Sequence, residues 1–193
     1  MKINASATRL LVPSIAIVMV FCAACLWRSP RQGMQRNKLT EPVEIQGVSC
    51  AAGYAWMHKA GGLGSCSLSR DSQVAGVDLP AGTTVFFNQA GDLDYCWLSR
   101  PTVIQGFECE GRGHSTITGF YPSGKLEYFW PPENLEVDGV PCKATGFQSV
   151  SLHEDGGLRM CRLSEAATIQ GRAFQAGEDI ALDENGKLVE STP

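Results

Sequence analysis

The chain has 193 residues, of which 44% are hydrophobic and 19% charged, an ordinary balance that excludes wholesale disorder. A formal net charge of −4 gives no electrostatic basis for binding nucleic acid, which favours a basic face. With the N-terminal targeting stretch set aside, about 150 residues remain, enough for one domain or a short repeat array with its own core.

The first element is an apolar run from Leu10 to Trp27, preceded by Lys2 and Arg9 and broken only at Pro13 and Ser14. Its length lies between that of a secretory h-region and that of a membrane span. The run ends in Cys22-Ala23-Ala24-Cys25, which resembles a bacterial lipobox. That resemblance implies lipidation of Cys25 after cleavage behind Ala24, although Cys22 stands where the pattern usually has Leu. Lipoprotein, uncleaved anchor and ordinary signal peptide all remain open. Residues 1–27 are therefore expected to form an apolar helix that exports the chain. The membrane is its partner, and the remainder faces the periplasm or the cell exterior. Residues 28–41 contain Pro30, Arg31, Gln32, Gly33, Gln35 and Arg36 and read as a polar linker.

From residue 42 to about 190 the chain repeats itself. Ile-Gln-Gly occurs at Ile45, Ile104 and Ile169, with degenerate forms at Val74-Ala75-Gly76 and Val137-Asp138-Gly139. Three residues after each glycine stands Cys50, Leu79, Cys109, Cys142 or Phe174. A second marker, G-x-L, runs in step at Gly61/Leu63, Gly91/Leu93, Gly124/Leu126, Gly156/Leu158 and Gly186/Leu188. Three residues past each leucine lies Cys66, Cys96, Phe129, Cys161 or Ser191. Two markers sharing one period of about 30 residues define five degenerate units, 42–72, 73–101, 102–133, 134–166 and 167–190.

Within each unit three apolar stretches follow one another. Unit three opens with Val103–Cys109, and unit two supplies Thr83–Phe87 and then Leu93–Leu98. Asp155-Gly156 and Asn185-Gly186 separate the second stretch from the third and suit hairpin turns that need positive φ. No window after residue 40 sustains an amphipathic helical period. The expected unit is a β-meander of two or three strands. The expected fold is all-β, an elongated open sheet or β-solenoid, with a small β-propeller as the alternative. Period-two alternation puts Tyr95 and Trp97 on the face of Leu93, and Tyr128 and Trp130 on the face of Leu126.

Phe120-Tyr121-Pro122-Ser123-Gly124-Lys125-Leu126-Glu127-Tyr128-Phe129 and Leu182–Leu188 resemble MORN-type repeats of the bacterial antitoxin-like variety. The resemblance covers one hairpin per unit; those repeats are shorter and lack the IQG marker and the cysteines. It implies an elongated sheet of successive hairpins and no activity; an immunity or antitoxin-like protein is the alternative it suggests by analogy only.

Six cysteines lie beyond the apolar run, and an even number in an exported chain reads as a disulfide framework. The only C-x-x-C is Cys22–Cys25, so closely spaced zinc ligands are missing from the repeats. The repeat register pairs Cys50 with Cys66 and Cys142 with Cys161. Cys96 and Cys109 are then left to join across a unit boundary.

The sequence contains no G-x-S-x-G, P-loop or H-E-x-x-H motif. His58 and His153 recur at matching places, which fits a position set by the repeat rather than a catalytic base. No cofactor is expected. Tyr95, Trp97, Tyr128 and Trp130 hold equivalent places in units two and three and form the candidate binding face, unless they are core. The reading is a non-enzymatic, envelope-anchored protein for binding or scaffolding, with an envelope protein or glycan as partner. A hydrolase with an unrecognised site is the remaining alternative.

Overall fold

A computed structural model describes residues 33–144 and 149–189. Residues 1–32, including the apolar run, Cys25 and part of the expected linker, lie outside the described residues. No helix among the described residues is long and apolar enough to cross a membrane.

The described chain is all-β. Strand β1 (Met34–Leu39) precedes the first unit, which contributes β2 (Val43–Ile45), β3 (Val48–Cys50), β4 (Gly53–His58) and β5 (Leu63–Ser67). Unit two supplies β6 (Ser72–Val74), β7 (Val77–Leu79), β8 (Thr84–Phe87) and β9 (Leu93–Trp97). Unit three supplies β10 (Thr102–Ile104), β11 (Phe107–Cys109), β12 (Thr118–Phe120) and β13 (Leu126–Phe129). Unit four supplies β14 (Leu135–Val137), β15 (Val140–Cys142), β16 (Val150–Leu152) and β17 (Leu158–Arg162). The fifth has β18 (Ala167–Ile169), β19 (Arg172–Phe174) and β20 (Asp179–Ala181).

One antiparallel sheet of ten strands runs through all five units in the order β1-β4-β5-β8-β9-β12-β13-β16-β17-β20. It is continuous and open, so the propeller alternative falls: separate blades would break it. The IQG stretch of each unit makes a separate two-stranded hairpin. Val103–Cys109, a single stretch by its sequence, folds back on itself, because Gln105 and Gly106 both have positive φ, 50° and 91°. All five units repeat this pair of left-handed residues, the backbone of a type I′ turn. The linker assignment is also corrected in part. Met34–Leu39 pairs with β4 in full register, and the Met34 side chain fills the space left by Gly64.

The core lies between the sheet and the IQG hairpins. The first four units repeat the same buried positions, and the fifth has the partly buried Leu188 and Phe174 in their places. Leu63, Leu93, Leu126 and Leu158 follow the G-x-L turns, and Cys50, Leu79, Cys109 and Cys142 come from the hairpins. Leucine and the residue three beyond it are both buried, which strict alternation forbids. A register shift in each main hairpin resolves the conflict, inserting Gly64, Asp94, Glu127 or Arg159 as the extra residue of a β-bulge.

Two side-chain devices recur with the units. In the first, the residue before the IQG glycine reaches the G-x-L turn of its own unit. The amide N–H groups of Leu63, Leu126 and Leu188 donate to Oε1 of Gln46, Gln105 and Gln170, at 2.7, 3.0 and 3.2 Å. Gln105 and Gln170 also donate through Nε2 to the carbonyls of Gly124 and Gly186. Asp138 does the same work in unit four, accepting from Leu158 N–H at 2.7 Å. In four of the five units the two sequence markers are bonded to each other.

The second device crosses unit boundaries in units one, three and four, from the residue three before the G-x-L glycine. His58 Nε2 donates to the Phe87 carbonyl at 3.0 Å, Tyr121 Oη to Leu152 at 2.9 Å, and His153 Nε2 to Leu182 at 2.9 Å. A carbonyl can only accept, so Nε2 carries the proton in both histidines. The matching places of His58 and His153 are therefore structural staples.

Candidate functional site

Cys50–Cys66 and Cys142–Cys161 are disulfides as the register requires, each with Cα atoms 5.7 Å apart. They indicate an oxidising, extracellular-type environment. The third expected pair is corrected: Cys96 and Cys109 are both buried free thiols. Each belongs to a unit in which the cystine partner's place has become apolar, Leu79 for Cys96 and Phe129 for Cys109. Burial holds both thiols protonated, raising Cys96 far above its ordinary value and pushing Cys109 up to about 12. Among the described residues, no three His, Cys, Asp or Glu side chains converge on a metal-sized site.

The notable surface is the face of the ten-stranded sheet opposite the IQG hairpins. One rung crosses every strand: Arg36, Trp56, Ser65, Phe86, Tyr95, Gly119, Tyr128, Ser151, Met160 and Ala181 pair successively. The bulge places Tyr95 here, on the face opposite Leu93, which corrects the shared face expected from plain alternation. Glu127 does the same for Tyr128 relative to Leu126. Gly119 lies opposite both tyrosines, and a Cβ there would run into the Tyr128 ring, so the absent side chain is what lets that ring lie across the strand.

The four predicted aromatic residues are half-buried, neither core nor freely exposed. Phe86, missed in the sequence, organises one half of them. Its ring stacks on Tyr95 at 4.3 Å between centroids and meets Trp97 edge-on at 4.5 Å. Trp97 in turn meets His114 edge-on at 4.3 Å. His114 belongs to a short 3₁₀ turn, Gly113–Ser115, in the connection from β11 to β12. On the other side Tyr128 and Trp130 sit 6.2 Å apart. Desolvation, then the nearby Asp94 carboxylate, hold the Tyr128 phenol well above its usual range, so it is neutral and able to donate. The indole Nε1 atoms of Trp97 and Trp130 are buried without a hydrogen-bond partner among the described residues.

Among the described residues, the face offers the half-buried rings of Tyr95, Trp97, Tyr128 and Trp130 and a neutral phenol, with both indole N–H groups beneath the surface. Tyr95 and Tyr128 stand two strands apart, about 9.6 Å at ordinary strand spacing. The signal for the missed Phe86 lies in Thr84–Phe87, where three successive apolar residues leave one on the outer face. No family model, curated protein or solved structure matches this chain.

Proposed function

We propose that this chain is a non-enzymatic binding or scaffolding protein of the cell envelope, using the aromatic face of its ten-stranded sheet as the contact surface. One observation carries the reading. An antiparallel sheet with one face on its core usually turns polar residues outward on the other. Here the middle of the outer face holds the half-buried rings of Tyr95, Trp97, Tyr128 and Trp130 instead, with Phe86 buried beneath the first two. Tyrosine and tryptophan, each an apolar ring with a polar tip, are favoured where two surfaces meet. The apolar N-terminal segment exports the chain and tethers it to the membrane, with Cys25 as the lipidation residue. An envelope protein or glycan is the partner that this location supplies.

A photo-crosslinking amino acid at position 97 or 130 tests the contact surface in intact cells. It is expected to capture envelope material, whereas the same group at the hairpin tip residue Gly139 is not. Equal yields from all three positions, or indoles wholly shielded from acrylamide, would remove the contact surface. Loss of membrane fractionation in Cys25→Ala tests the tether separately.

A further inference from the structure

We infer that the boundary between units two and three is the array's joint, the place where it opens and bends first. Of the three kinds of lock in the repeats, the clamp and the cystine act within a unit and only the staple crosses to the next; unit two lacks all three, so it is the least braced unit and has no staple across its boundary with unit three. The clamp on the G-x-L turn is missing because Ala75 stands where Gln46, Gln105, Asp138 and Gln170 stand in the other units. The cystine is missing because Leu79 replaces the equivalent of Cys50 and Cys142, leaving Cys96 a thiol. The staple onto the next unit is missing because Asn88 occupies the place of His58, Tyr121 and His153 and bonds within its own turn. Asn88 Oδ1 accepts from Ala90 and Asp92 N–H at 2.8 and 3.0 Å, and its Nδ2 donates to Asp92 Oδ2 at 3.0 Å.

Backbone pairing leans the same way. Strand β9 meets β12 through two registered pairs, Cys96–Thr118 and Tyr95–Gly119, whereas β5 meets β8 through three. The junction of units three and four also has two registered pairs, but it carries the Tyr121 staple and the Arg159–Glu127 ion pair at 3.4 Å. At the joint, contact is instead made by side-chain packing and loop contacts. Trp97 meets His114, the tyrosines flank Gly119, and Gly113 N–H donates to the Leu98 carbonyl. Stacked rings slide at less cost than the hydrogen bond of a staple breaks. Local opening starts where such locks are fewest. Units one and two on one side, and three to five on the other, move as blocks about this line.

Native-state hydrogen exchange on the full chain, resolved by mass spectrometry, tests the assignment. Amides of Leu93–Trp97 and Thr118–Phe120 are expected to exchange on the order of tenfold faster than those of Leu63–Ser67 with Thr84–Phe87, or of Leu126–Phe129 with Val150–Leu152. Asn88→His, which restores the staple toward the Phe120 carbonyl, is expected to slow exchange at the joint and leave the other junctions unchanged. Asn88→Tyr, patterned on Tyr121, replaces it if the histidine variant does not fold. Equal or greater protection at the joint would overturn the inference. So would restored staples that leave its exchange unaltered.

Discussion

Gln105 shows what one side chain does in this fold. Its backbone adopts the left-handed turn at φ 50°, and its amide holds both the Leu126 N–H and the Gly124 carbonyl. Gln105→Gly keeps the turn geometry while deleting both bonds, and is expected to cost about 1–2 kcal/mol in urea unfolding. Ala75 is the converse case, a residue with a Cβ held at φ 50° and no polar side chain in return. Ala75→Asn is expected to raise stability by about 0.5–1 kcal/mol, since Asn tolerates this region and Asn-Gly suits the turn. The sequence displays the IQG period plainly, but not its cause. A hydrogen bond across 17 to 21 residues leaves no mark on local propensity.

At the level of strands and hairpins, the lesson concerns parity. Leu93 and Cys96 are three apart and both buried, which a regular strand cannot arrange. That spacing is visible in the sequence at four G-x-L sites, and it is itself the signature of a bulge. Reading plain alternation through it puts Tyr95 on the wrong face. The four-stranded make-up of the units is hidden for a different reason. Three-residue strands are too short to show alternation, so only the left-handed Gln105-Gly106 pair betrays them.

Repeat equivalence gives a test of the hairpin register. Leu79 stands to Cys96 as Cys50 stands to Cys66 and as Cys142 stands to Cys161, so Leu79→Cys is expected to form a third cystine spontaneously. By analogy with closed loops of similar size, it adds about 3 kcal/mol of stability. Peptide mapping without reductant reads the linkage. An introduced thiol that stays unpaired, or that pairs with Cys109, would refute the register.

For the molecule as a whole, the covalent locks sit in units one and four, on either side of a centre held by packing. Reducing both cystines is expected to lower stability by about 3 kcal/mol each, in a chain-entropy model, read as a fall in the urea midpoint. Cys96 and Cys109 answer to a different measurement. Buried and protonated, they are expected to resist iodoacetamide in the native protein and to be alkylated once denaturant opens the array. Rapid native labelling of either thiol would show that the core between sheet and hairpins is looser than its burial indicates. The open architecture is legible from the sequence because two markers repeat. Which face carries the aromatic rows is not, because bulges decide it.

Every unit with a complete main hairpin adds two strands to the sheet, an even number. Duplicating or deleting one such copy in the gene would therefore preserve the direction of every downstream strand and the side on which each ring emerges. Descendants of this chain are free to lengthen or shorten by unequal recombination, and the sheet grows or shrinks by counting copies rather than by redesigning any of them.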